Sequence, residues 1–130
     1  MNATVREWVN KAEGDFITAG RELRARKHPN YDASCFHSQQ CVEKLMKALL
    51  ILRGVVPPRT HDLPHLGRLL AEANPEWSWP VEDLQFVSRA AASFRYPGEC
   101  ADREEARETF AKAKGVRKQL LKLLGIKAKP

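Results

Sequence analysis

Apolar residues recur at intervals of three and four along most of the chain. Val5, Trp8, Ala12, Phe16, Ala19 and Leu23 form the first stripe, and that spacing puts them on one face of a helix predicted over residues 5–27. Thr4 followed by Glu7 has capping-box spacing and predicts the start. Pro29 in HPNY predicts the stop, because the residue before a proline is turned away from helical backbone. Gly14 and Gly20 each weaken the intrinsic helix preference by about 1 kcal/mol, which packing along the stripe outweighs.

The second stripe is Phe36, Cys41, Leu45, Ala48, Leu49 and Leu52, predicting a helix over 32–53 with Gly54 as its left-handed end. Val42, Met46, Leu50 and Ile51 widen the apolar arc past a single seam. A helix apolar on two sides belongs at the centre of a bundle or at a subunit contact. In VVPPRTHDLPHL the paired prolines exclude helix, and Thr60 or Asp62 then caps a short third helix through Leu63, Leu66, Leu69, Leu70 and Ala73. Pro64 fits there only in the first turn. ANPEWSWP interrupts the pattern, and Ser78 is the expected cap of a fourth helix over 80–94 through Val81, Leu84, Val87 and Ala91. Trp77 and Trp79 are expected to seal the end of the bundle. After FRYPGEC, Asp102 and Glu105 repeat the capping-box spacing ahead of a last helix over 102–124, using Ala106, Phe110, Ala113, Leu120 and Leu124, with Gly125 as its end. No segment alternates as a strand does. The expected fold is all-α, an up-and-down helical bundle of four long helices plus one short helix, forming a single domain over 1–130 with a short basic tail at 125–130.

Composition narrows the setting. A chain of 130 residues, 43% apolar, can build one core. Its three cysteines are an odd number without a secretory prefix, which points to reduced cytoplasm. The aliphatic run ALLIL is far too short to span a bilayer, so no membrane partner is expected. The charge of +6 is concentrated in 112–130, where Lys112, Lys114, Arg117, Lys118, Lys122, Lys127 and Lys129 occur with no acid. An anionic partner and a solvated face both fit such a run.

Candidate chemistry begins with what is missing. There is no His-Glu-x-x-His pair, cysteine cluster or glycine-rich phosphate loop, so neither a metal nor a cofactor is expected. On the second helix His37, Gln40, Cys41, Lys44 and Lys47 share one side, and Glu43 stands four residues before Lys47, the favourable ion-pair order. Arg59, His61 and His65 surround Asp62 at the start of the third helix. Imidazoles beside a carboxylate resemble acid–base machinery, and they equally serve as caps and loop ligands.

These residues carry a family resemblance. FHSQQCVEKLMKALLILRG, then RTHDLPHLGRLL, then FRYP before a final amphipathic helix, with Trp8, Ala12 and Asp15 in the opening helix, resemble the HEPN domain family, named for higher eukaryotes and prokaryotes nucleotide-binding proteins. The resemblance implies a helical bundle, a homodimer as in the short stand-alone prokaryotic members, and pairing with a minimal nucleotidyltransferase in a two-component, toxin–antitoxin-like system. It also implies nucleotide or RNA as ligand. Many relatives are metal-independent ribonucleases marked by an Arg, a polar spacer and a His late in the bundle. Here no histidine follows Arg95, and the pairs Arg21 with His28 and Arg59 with His65 lie elsewhere. The residues matching the rest of the signature are His37, Gln39, Gln40, Glu43, Lys44, Lys47, His61, Asp62, Arg95, Tyr96 and Pro97. They stand as ligand-binding or interface residues. One arrangement would bring Arg95 to the Lys44 and Lys47 strip as an anion site; another would pair Arg95 with Glu43 or a helix end. The alternative functions are a ribonuclease using Arg59, His61 and His65, and a structural helical dimer without ligand.

Overall fold

Each apolar stripe becomes one helix in the computed structural model, which describes residues 1–94 and 96–127. The elements are α1 (Ala3–Arg24), α2 (Tyr31–Leu52), α3 (Leu63–Ala73), α4 (Val81–Ser93) and α5 (Arg103–Leu123), and no strand occurs among the described residues.

The helix ends show which polar group wins each cap. Asn2, not Thr4, starts α1: its side chain accepts from the Val5 amide at 2.8 Å, which leaves Thr4 inside the first turn. The helix stops at Arg24, three residues short of the expected end. Glu22 accepts from the Asn30 amide at 3.1 Å and folds the connection back, and His28 takes a positive φ of 50°. Asn30 then caps α2 through the Ala33 amide. Gly54, at a φ of 81°, ends the turn after α2, a conformation open to a residue without Cβ. Asp62 caps α3, and Pro64 sits in its first turn as expected. Ser78 does not cap α4. The helix starts after Pro80 with no side-chain cap, and the Ser78 carbonyl instead accepts from Gln119 Nε2 at 3.4 Å. Asp102 and Glu105 form the full capping box of α5.

Helix α2 packs against all four other helices. Both sides of its apolar arc are therefore filled within one chain, with Cys41, Val42, Leu45, Met46, Leu49 and Leu50 all buried in the main core. Trp77 closes that core at one end and Trp79 packs on it, next to Gly115, where an added Cβ would come within 3.1 Å of the Trp79 ring. A smaller cluster of Cys35, Ala101 and Ala106, with Leu23, Tyr31 and Phe94 against it, joins the start of α2 to the start of α5. There the Ala101 amide donates to Asp32 at 2.7 Å.

The thiols divide by depth. Burial pushes the Cys35 thiol up to about 11 and the Cys41 thiol higher still, while Cys100 is exposed. Since the thiolate is the nucleophile, a thiol reagent at neutral pH should label one cysteine per folded chain and all three after denaturation. Mass spectrometry of the adduct would locate the label on Cys100, and rapid labelling of Cys41 in the folded protein would contradict this packing.

Candidate functional site

The polar residues of α2 meet two buried carboxylates, one from α1 and one from α2 itself. Asp15, on the inner face of α1, accepts from His37 Nδ1 at 2.7 Å and from Lys44 Nζ at 2.6 Å. A carboxylate only accepts, so in this pair Nδ1 carries the proton. One turn further along α2, Glu43 receives Gln39 Nε2 at 3.0 Å and His61 Nδ1 at 2.9 Å on one oxygen, and Lys47 Nζ at 3.0 Å on the other. Helical spacing aligns Gln39, Glu43 and Lys47 along one row. The loop ahead of α3 is tied in because Gln39 Nε2 also donates to the His61 carbonyl at 3.1 Å, and Gln40 donates to Gln39 Oε1 at 2.8 Å. Lys47 lies 6.0 Å over the Trp8 ring.

Electrostatically, the strip closes on itself. Asp15 and Glu43 balance Lys44 and Lys47, so neither lysine stands free for an external anion. Burial is the largest single influence on Glu43 and favours its uncharged form. Hydrogen bonds from Gln39, His61 and Lys47 together outweigh it and hold the carboxyl below its ordinary value of 4.5. A depressed carboxyl pKa adds stability that is complete above the unfolded value and is lost as pH falls through the folded one. Urea unfolding followed from roughly pH 6 down to pH 3 should therefore show stability falling below pH 4.5. Glu43→Gln should flatten that part of the profile.

The other candidate residues are dispersed. His61 keeps 71% of its side chain exposed, whereas His65 is half-buried, with Nδ1 facing Arg68 at 3.5 Å. The two imidazoles thus take different partners. Arg59 is exposed, and Asp62 is occupied as the α3 cap. In the FRYP corner, Tyr96 is 70% exposed and Arg95 lies outside the described residues.

Two features escape sequence reasoning. Asp15 reads there only as part of an opening pattern, because its partners lie on another helix. Arg117, which the sequence groups with the free basic run, is buried: its guanidinium grips Glu13 at 2.7 and 2.8 Å and lies 4.0 Å over the Phe16 ring, itself stacked on Phe110. Lys112 is likewise drawn to Asp83 at 3.1 Å. Arg117 takes its counter-ion from α1, and Lys112 takes one from α4 beside Glu108 of its own helix; no local spacing announces a pair separated by 104 residues. Lys114, Lys118, Lys122 and Lys127 remain exposed, and Lys129 lies outside the described residues. Among the described residues no group of three or more His, Cys, Asp or Glu is placed to hold a metal ion, and no helix is long and apolar enough to cross a membrane.

Comparison with known proteins agrees with this architecture. TT1696 from Thermus thermophilus superimposes with a TM-score of 0.74 at 22% identity, covering 92% of this chain and 97% of that one. ST0689, an archaeal HEPN homologue, gives a TM-score of 0.65 at 24% identity, over 89% and 93% of the two chains. These likenesses show a shared fold. Putative toxin MJ1304 of Methanocaldococcus jannaschii is 35% identical over 83 residues, 63% of this chain and 52% of that protein, so the chain spans about half the length of this relative. The model of the HEPN domain matches residues 5–123, from the first turn of α1 to the last residue of α5, and the chain therefore belongs to the HEPN domain family.

Proposed function

We propose that this protein is the helical member of a two-component, toxin–antitoxin-like pair whose other member is a minimal nucleotidyltransferase. The likeness to a toxin over 83 residues is the observation that carries this reading. The polar strip is neutralised inside the chain, so the surface contact this reading draws from it is the exposed His61 ring. A homodimer is part of the reading. Because the arc of α2 is filled internally, its contact uses other surface, such as the exposed Ile17 and Tyr96. Induced expression in a bacterial host should slow growth, and co-expression of a nucleotidyltransferase encoded beside this chain should restore it. Growth unaffected by expression at confirmed soluble levels would overturn the toxin role.

One observation favours a second reading, a metal-independent ribonuclease. Glu43 fixes His61 through Nδ1 while the rest of the ring is exposed, the arrangement a general base requires. Cleavage of structured RNA in the presence of chelator, lost in His61→Ala and retained in Lys114→Ala, would establish it.

A further inference from the structure

At the end of the bundle where α1 stops and α2 and α5 begin, a cleft of about 560 Å³ opens between Leu23, Tyr31 and four arginines: Arg24, Arg26, Arg103 and Arg107. Small-molecule pockets span roughly 300–1,000 Å³, so the space is adequate for a compact ligand. Among the described residues no carboxylate lines it. Of the nearby acids, Glu22 holds the Asn30 amide, Asp32 holds the Ala101 amide, and Asp102 and Glu105 form the α5 capping box, while Glu104 faces Arg107. Among the described residues the four guanidinium groups make a single ion pair, an exposed one between Arg107 and Glu104 at 3.7 Å. Arg117 shows the contrast, since its charge is spent on Glu13 in a bidentate grip.

Helix electrostatics accounts for Arg24 but not for Arg103 or Arg107. Arg24 stands in the last turn of α1, where a cation complements the helix dipole. Arg103 is the first residue of α5 and Arg107 follows one turn later, at the end of a helix where cations are disfavoured. Gly20 contributes to the shape: a Cβ there would lie 2.8 Å from Arg24 Nη1, so the guanidinium lies across a position kept clear of side chain.

We propose that this cleft binds a ligand carrying two or more neighbouring phosphate groups. The guanidinium is a planar fork matched to phosphate oxygens, and several forks around one concavity suit clustered phosphates better than a lone carboxylate. Tyr31 and Leu23 supply the apolar wall. The phosphates come from a free oligophosphate moiety or from an RNA backbone.

Calorimetric titration of the full chain with sodium tripolyphosphate, and separately with a short single-stranded RNA, at low and moderate salt tests this site. Saturable one-to-one binding of tripolyphosphate is expected, weakened about tenfold or more by Arg103→Ala and by Arg24→Ala and unchanged by Lys114→Ala. Gly20→Ala provides an independent variant, because it displaces the Arg24 guanidinium without removing charge and should lower affinity with helicity retained. RNA that binds more tightly than tripolyphosphate and loses affinity in the same variants identifies the backbone as the source; RNA that binds no better identifies the free oligophosphate. Absence of saturable heat with both probes at millimolar concentration, or binding indifferent to Arg24 and Arg103, would overturn the proposal.

Discussion

Leu49→Asp should leave no cooperatively folded protein. Leu49 is fully buried on α2, the helix that every other helix packs against. Truncating a buried leucine alone destabilises by about 2–5 kcal/mol. A carboxylate at that depth has no partner there, which adds a few kcal/mol more. The sum is comparable with the whole stability of a typical domain, about 5–15 kcal/mol. Far-ultraviolet circular dichroism should show a broad, non-cooperative melt or no helix. Leu49→Met, which preserves volume, should cost less than about 1.5 kcal/mol, and a sharp native-like transition in Leu49→Asp would mean that α2 is not the central element.

The second large effect is expected at Glu43. Replacing it by leucine leaves the Lys47 ammonium, with its side chain only 9% exposed, without its carboxylate. Removing one partner of a buried pair destabilises by about 3–5 kcal/mol, because the remaining charge stays desolvated. Glu43→Leu should therefore lose about that much in chemical denaturation, and Glu43→Leu with Lys47→Met should recover most of it. Non-additivity of this kind marks direct coupling. A loss in Glu43→Leu below about 1 kcal/mol, the range of an exposed pair, would show that the strip is solvated and does not bind the bundle together.

Much of the fold is legible because helical periodicity is a local signal. Every stripe of apolar residues became a helix, and Asp102 with Glu105 formed the expected box. The errors fall at caps, where several polar residues compete for the same amides. Asn2 wins over Thr4, and Pro80 sets the start of α4 by its backbone conformation without help from Ser78. The site was legible only in part. Positions 39, 43 and 47 form a row that spacing alone reveals, whereas the His61 loop joins it at Glu43 from 18 residues away and Asp15 reaches His37 from 22 residues away. The arginine cleft is less visible still, since Arg24 and Arg103 become neighbours only once α1 and α5 lie side by side.

The claim that this chain works as one half of a pair is tested most directly by sedimentation equilibrium on the tagged protein co-expressed with a nucleotidyltransferase encoded beside it. The expected result is a single stoichiometric species, heavier than a homodimer of the 14.7 kDa chain and containing both proteins. A clean monomer at 14.7 kDa, with the nucleotidyltransferase soluble and sedimenting separately, would contradict both the dimer and the partnership.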